Sequence, residues 1–306
     1  MKFSTSDAAF EGFRLTRAHP KAVALWALVS ILFNLAMTGV LVSLSGPALT
    51  EMRELSQAGP AADPTAVFDL LGEIMRGYVV MIPLGLIFVS ILINAVYRAS
   101  SRPTANAFGF LRLGAAELRQ LAALLVIGLL GVIYTIVTSF VLSIVATVAS
   151  FAAGGPQSPI GLMVMMCILY AGLFALWLPF YVKFSFSGPM TFVQNRICIF
   201  SSWGATAGHF WPLAGCYVLA GVAGIVVTLL GLAIGAAVLV SLGGDLGQMM
   251  RPDMSSLSTY LTPGMIGYLI VGAFFNTLTY AIYFGPAMAA YKAIHGGSAE
   301  ASQAFE

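Results

Sequence analysis

The sequence predicts an all-α fold: a polytopic transmembrane helical bundle of six spans, arranged as three hairpin repeats with short cytoplasmic connector helices. Three observations predict it. Of the 306 residues, 59% are apolar and only 8% charged, whereas a soluble domain carries about 25% charged residues to keep its surface hydrated. Six stretches without a charged side chain are long enough to cross about 30 Å of hydrocarbon. Basic residues crowd onto one alternating set of connecting segments, as the positive-inside rule requires of a multi-pass chain.

No charge falls between Lys21 and Glu51, which places the first span at residues 22–45. About twenty mixed polar residues precede it and no small-residue cleavage site follows the usual pattern, so it reads as a retained span and not a signal peptide. The second span, residues 77–97, is bracketed by tyrosines and contains Pro83, a potential kink. From Gln120 to Val182 there is room for two helices, and Gly154-Gly155-Pro156-Gln157-Ser158-Pro159 divides them into spans 121–150 and 160–181. The fifth span is 213–242 and the sixth, after Thr262-Pro263-Gly264, is 265–290. The long third and fifth spans are where irregularity is expected. The outer segment between Gly46 and Arg76 carries acidic residues with Pro60 and Pro64 and has room for a short helix or a partner contact.

Alternating the loops puts Lys2, Arg14, Arg17, Lys21, Arg98, Arg102, Arg112, Arg119, Lys183, Arg196 and Lys292 on one side. The other side holds Arg53, Arg76 and Arg251, with Glu51, Glu54, Asp63, Asp69, Glu73, Asp245 and Asp253. This bias assigns both termini to the cytoplasm. Arg98, Lys183 and Lys292 sit at span ends, where long side chains snorkel to headgroups.

An internal pattern recurs. Phe13-Arg14-Leu15-Thr16-Arg17-Ala18-His19 aligns with Leu111-Arg112-Leu113-Gly114-Ala115-Ala116-Glu117 and with Trp203-Gly204-Ala205-Thr206-Ala207-Gly208-His209, at spacings of 98 and 92 residues. Each copy precedes an odd-numbered span, which divides the chain into repeats 1–97, 98–196 and 197–306 of one membrane domain. In the second copy Leu111, Leu118 and Leu121 share one helical face and Arg112 and Arg119 another, the pattern of an interfacial helix. Arg14, Arg17, His19, Lys21, Arg112, Arg119 and His209 are therefore candidate contacts for lipid headgroups. The phrases FRLTRAHPKAVALWALV, FGFLRLGAAELRQLAALLV and SSWGATAGHFWPLAGCYVL resemble those of a group of uncharacterised bacterial six-span proteins. That group is similar to the membrane domain fused to some glycerophosphoryl diester phosphodiesterases. The resemblance implies a bacterial inner-membrane location and a link to lipids. It carries over no active site, because the phosphodiesterase barrel with its His and acidic metal ligands has no counterpart in this chain.

The residues also bound the chemistry. Span centres hold no charged group, where enzymes and ion-coupled transporters place theirs. No HExxH, nucleophile elbow or Walker sequence occurs, so catalytic residues, metal ligands and cofactors are all assigned as none. Cys167, Cys198 and Cys216 lack metal or redox spacing and read as buried, inert thiols. His295 falls in a Gly-rich tail. Polar residues inside spans are chiefly Asn34, Asn94, Thr135, Thr138, Thr228, Asn276, Thr277 and Thr279, which bond between helices or line a polar pathway. Gly221, Gly224, Gly231 and Gly235 form a flat face for helix packing on the fifth span. Gly188-Pro189 and Gly285-Pro286 read as kinks, the kind of break that can mark a transporter's binding site.

These features predict a non-enzymatic protein that binds membrane lipids, another membrane protein or a second copy of itself, and no nucleic acid. A permease for a hydrophobic or amphipathic small molecule or lipid is the alternative. An enzyme acting on headgroups through His19 and His209 is a third.

Overall fold

The computed structural model describes residues 4–57, 64–101 and 107–303. Lys2, Pro60, Asp63 and Arg102 lie outside the described residues. Among the described residues the secondary structure is helical, without a strand. In hydrocarbon every backbone N–H and C=O must be satisfied within its own segment, and the helix alone does this for a single spanning stretch. The short helices α1 (Thr5–Ala9) and α2 (Glu11–Ala18) come first, then the long α3 (Pro20–Gln57), α4 (Pro64–Ser101) and α5 (Ala115–Ala152). They are followed by α6 (Pro159–Phe184), α7 (Ser187–Gln194), α8 (Ser201–Ala205) and α9 (Phe210–Ser241). The last are α10 (Leu246–Met250), α11 (Leu257–Tyr260) and α12 (Pro263–Gln303). Six helices, α3, α4, α5, α6, α9 and α12, are long and apolar enough to cross a membrane. The chain is a multi-pass helical membrane protein.

Helix and apolar span do not coincide. At 1.5 Å per residue, the 38 residues of α3 or α4 reach about 57 Å, well beyond a bilayer core. The extra turns of α3 and α4 pack together through Ala48, Leu70 and Ile74, and the buried Ser45 hydroxyl donates to Ile74 O at 2.9 Å. The segment read as an outer loop is thus mostly two helix extensions, because backbone hydrogen bonding does not stop where hydrocarbon ends. The third and fifth spans are uninterrupted as α5 and α9, contrary to the expectation of irregularity. The discontinuity lies after α6, where Ser202 bridges the break by accepting from Phe186 N at 3.1 Å and donating to Lys183 O at 2.7 Å.

The chain forms two compact units. One comprises residues 4–9, 114–219 and 286–303. Its core gathers Val182, Phe186, Leu213, Cys216 and Ala290, and α5 meets α6 where Tyr134 stacks on Phe180 and Trp177 closes over Gly131. His295 belongs to α12, with Nε2 3.2 Å from Ala205 O, because the helix continues through the Gly-rich tail. Cys198 and Cys216 are buried, but Cys167 lies on an uncovered face of α6 and is exposed.

The other unit comprises residues 10–113 and 220–285. Its main core joins Leu15, Trp26, Leu92, Val96, Phe110 and Ala281. Here α2 meets α12 backbone to backbone: a Cβ on Gly12 would lie 2.5 Å from Ala281 O. Phe108, Gly109 and Phe110 have φ of 50°, 60° and 66°, a left-handed turn costing about 1–2 kcal/mol per non-glycine residue. The Trp26 indole N–H donates to Gly109 O, and Arg98 donates to Phe110 O at 3.0 Å, so Arg98 is buried inside the protein, where a snorkelling residue was expected. The interfacial helix expected across Arg112 and Arg119 does not form. Gly114 is extended and α5 begins only at Ala115, so the two arginines share no helical face.

Candidate functional site: neutral polar clefts flanking α12

In the second of these units, α12 carries Tyr268, Gly272, Asn276, Thr279 and Tyr283 at intervals of three and four residues, which aligns them as one stripe along the helix. Facing them on α9 are Gly224, Thr228, Gly231 and Gly235. Three of these glycines are covered by aromatic rings. A Cβ on Gly224 would collide with Tyr283, one on Gly231 would lie 2.7 Å from Phe275 Cβ, and one on Gly235 would lie 2.8 Å from Tyr268 Cδ2. Gly221 meets nothing within 4 Å and takes no part in this seam.

The seam opens half-way along. Thr228, Gly231 and Leu232 of α9 with Gly272, Asn276 and Thr279 of α12 line a cleft of about 170 Å³. On the other flank of α12, Ser30, Phe33 and Asn34 of α3, Phe88 of α4 and Asn276 and Tyr280 of α12 line a second cleft of about 120 Å³. Asn276 belongs to both. Gly272 and Asn276 are exposed, so the larger cleft is open to the surroundings. Asn34, Thr228 and Asn276 each lie near the middle of their apolar stretches, 22–45, 213–242 and 265–290.

The hydrogen-bonding state of the lining is specific. Thr228 donates to Gly224 O and Thr279 to Phe275 O, each at 2.9 Å, which leaves hydroxyl lone pairs as acceptors. Asn34 Nδ2 donates to Ser30 O at 2.8 Å. The buried Thr277 hydroxyl donates to Ser30 Oγ at 2.9 Å, a direct bond between α12 and α3. Phe33 and Phe88 stack at 4.0 Å beside the smaller cleft. Among the described residues the Asn276 amide has no hydrogen-bond partner, and no charged group lines either cleft. The arrangement can accept and donate hydrogen bonds to an uncharged group.

The other in-span polar residues play different parts. Thr135 and Thr138 bond back to Gly131 O and Tyr134 O on their own helix. Asn94 is fully buried with neither amide atom bonded among the described residues.

The basic candidates are divided between the two units. Arg14, Arg17, Lys21 and Arg112 are exposed. Arg14 pairs with Glu11, a buried carboxylate that also accepts from Ser100 Oγ at 3.0 Å. His19 is partly covered, its ring edge-on to Phe110 at 5.3 Å. In the other unit Arg119 donates to Asn195 Oδ1 at 3.0 Å, and His209 Nδ1 stands 3.1 Å from Ala207 O. Lys183 lies over Trp203 at 5.5 Å. Sequence reasoning took Glu117 only as the repeat counterpart of His19 and His209, and it missed the burial of Glu11, Glu117 and Gln120. For Glu11 the signal was Arg14 three residues later, a helical ion-pair spacing.

Outside the spans, the Ser255 hydroxyl and the Ser255 backbone N–H, the latter 2.9 Å from Oδ1, hold the Asp253 carboxyl below its usual range. Burial, with Tyr268 nearby, pushes the Tyr260 phenol up. Among the described residues no group of three His, Cys, Asp or Glu side chains is placed to hold a metal ion. No protein-family model, curated protein or solved structure matches the chain.

Proposed function

We propose that the chain is a non-catalytic, multi-pass protein of the bacterial inner membrane, with cytoplasmic termini and three repeated hairpins, that binds lipid or a membrane-protein partner. The observation carrying this reading is the open cleft beside Asn276, where a polar amide lies exposed at a depth where hydrocarbon offers it nothing. Leaving an amide unbonded in an apolar medium costs about 2–7 kcal/mol, so occupation of the cleft is favoured. Volumes of about 170 and 120 Å³ are below the roughly 300–1,000 Å³ of sites that enclose a whole ligand and suit part of a lipid. A partner surface is supplied by α6, of whose apolar stretch only 6% is buried, against 39% for α4.

Extraction in several mild detergents followed by native mass spectrometry tests the reading. Bound lipid or a co-purifying membrane protein is expected, and a chain that emerges alone and lipid-free in every detergent overturns it. Transport of an amphipathic solute is the second reading, favoured by polar residues from three helices at mid-span, where transporters place their sites. Proteoliposomes that show no added flux across a broad substrate panel eliminate it.

A further inference from the structure

Resting on the lipid-binding reading, the geometry points to the occupant's chemical class: an uncharged lipophile whose ring-sized end bears a hydroxyl or carbonyl, held by Asn276 between α9 and α12. Four features lead there. The cleft lies near the middle of the apolar stretches 213–242 and 265–290, where a charged headgroup would be costly in hydrocarbon, and no lining side chain is charged to offset that cost. Asn276 offers both a donor and an acceptor, and it has no partner among the described residues. The Thr228 and Thr279 hydroxyls, with their protons engaged on their own helix, add acceptors on either side. The cleft's 170 Å³ is close to the roughly 150 Å³ of an apolar cavity known to admit benzene. Its wall has no Cβ at Gly272, where one would meet nothing within 4 Å, and this leaves open space beside Phe275 and Asn276. Because Gly272 and Asn276 are exposed, entry is sideways from the lipid. Arg14 and Arg112, expected to meet phospholipid headgroups, do not line this cleft.

The full chain in nanodiscs of zwitterionic phospholipid provides the test. The probe is a benzyl alcohol carrying a trifluoromethyl diazirine, compared with the same molecule bearing methyl in place of hydroxymethyl. Photolabelling by the alcohol is expected to saturate and to map to residues 228–232 and 268–280. Asn276→Leu, checked for fold by circular dichroism and gel filtration, should weaken it about tenfold, the loss of one hydrogen bond in a low-dielectric site. The methyl analogue should label both proteins alike. The wild-type map needs no variant, and labelling spread evenly over the exposed apolar faces overturns the assignment. So does equal labelling of Asn276→Leu, or displacement of the alcohol by anionic phospholipid. These failures with lipid still co-purifying remove this assignment alone, whereas a lipid-free protein removes the wider reading.

Discussion

The α9–α12 seam makes a prediction that carries its own control. Gly221 and Gly231 lie on the same helix, and Ala at either position gains the same intrinsic helix propensity, about 0.8–1 kcal/mol over Gly. A Cβ at 221 meets open space, while a Cβ at 231 lies 2.7 Å from both Cβ and Cγ of Phe275. Carbon atoms settle near 3.5–4.0 Å, so roughly 1 Å of displacement is needed. A rotamer change would move Cγ, but Cβ is fixed by the α12 backbone, so the clash cannot be relieved by the side chain alone. Overpacking of this kind costs about 1–3 kcal/mol. The difference between Gly221→Ala and Gly231→Ala isolates that term, equivalent to a factor of about 5–150 in the unfolding constant. Unfolding in mixed micelles by titrated dodecyl sulfate, followed by far-ultraviolet circular dichroism, measures it. Equal stability of the two variants would refute the close approach of α9 and α12 and remove the wall on which the larger cleft depends.

Two further outcomes are expected. A double-mutant cycle with Ser30→Ala and Thr277→Val, read by the same titration, should return a coupling of about 0.6 kcal/mol and no more than about 1.7, the range for hydroxyl bonds between membrane helices; zero coupling would separate α3 from α12. The depressed Asp253 pKa means that its carboxylate is favoured in the fold. Its contribution is therefore complete above the ordinary value of 3.8 and is lost as pH falls through the lower folded value. Amide-exchange protection of residues 253–256, corrected for intrinsic rate, should fall as pH is lowered through and below 3.8 in the wild type and stay flat in Asp253→Ala; a flat wild-type profile contradicts the assignment.

Charge scarcity made the six crossing helices legible, because hydrocarbon penalises every charged side chain within it. Their true lengths were not legible by that route. Glu51, Arg53 and Glu54 mark the edge of an apolar stretch, yet α3 runs through them, since its backbone hydrogen bonds form equally well in water. Buried Arg98 and Glu11 were hidden for a related reason. A sequence records that a residue is ionisable but not that a carbonyl such as Phe110 O, or a hydroxyl such as Ser100, will fold back to meet it. Asn34, Thr228, Asn276 and Thr279 of the clefts were visible as exceptions within apolar runs, whereas Ser30, Tyr268 and Tyr280 were not singled out. Which of them meet depends on how each helix is rotated about its axis relative to its neighbours, and Asn276 and Asn34, far apart in the chain, share a cleft only through that rotation. Gly221 shows the same limit: spacing grouped it with Gly224, Gly231 and Gly235, but only three of the four lie under aromatic rings.

The bond between Ser30 and Thr277 joins positions 247 residues apart, and Gly12 likewise closes against Ala281. A ribosome emits the first partner of each pair long before the second. α3 can pack on α4 as soon as both are made, but the Ser30 bond and the seat of Gly12 become complete only when α12 enters the membrane. A product terminated before α12 would lack both contacts, so the last span to be made is the one that locks the first helices in place.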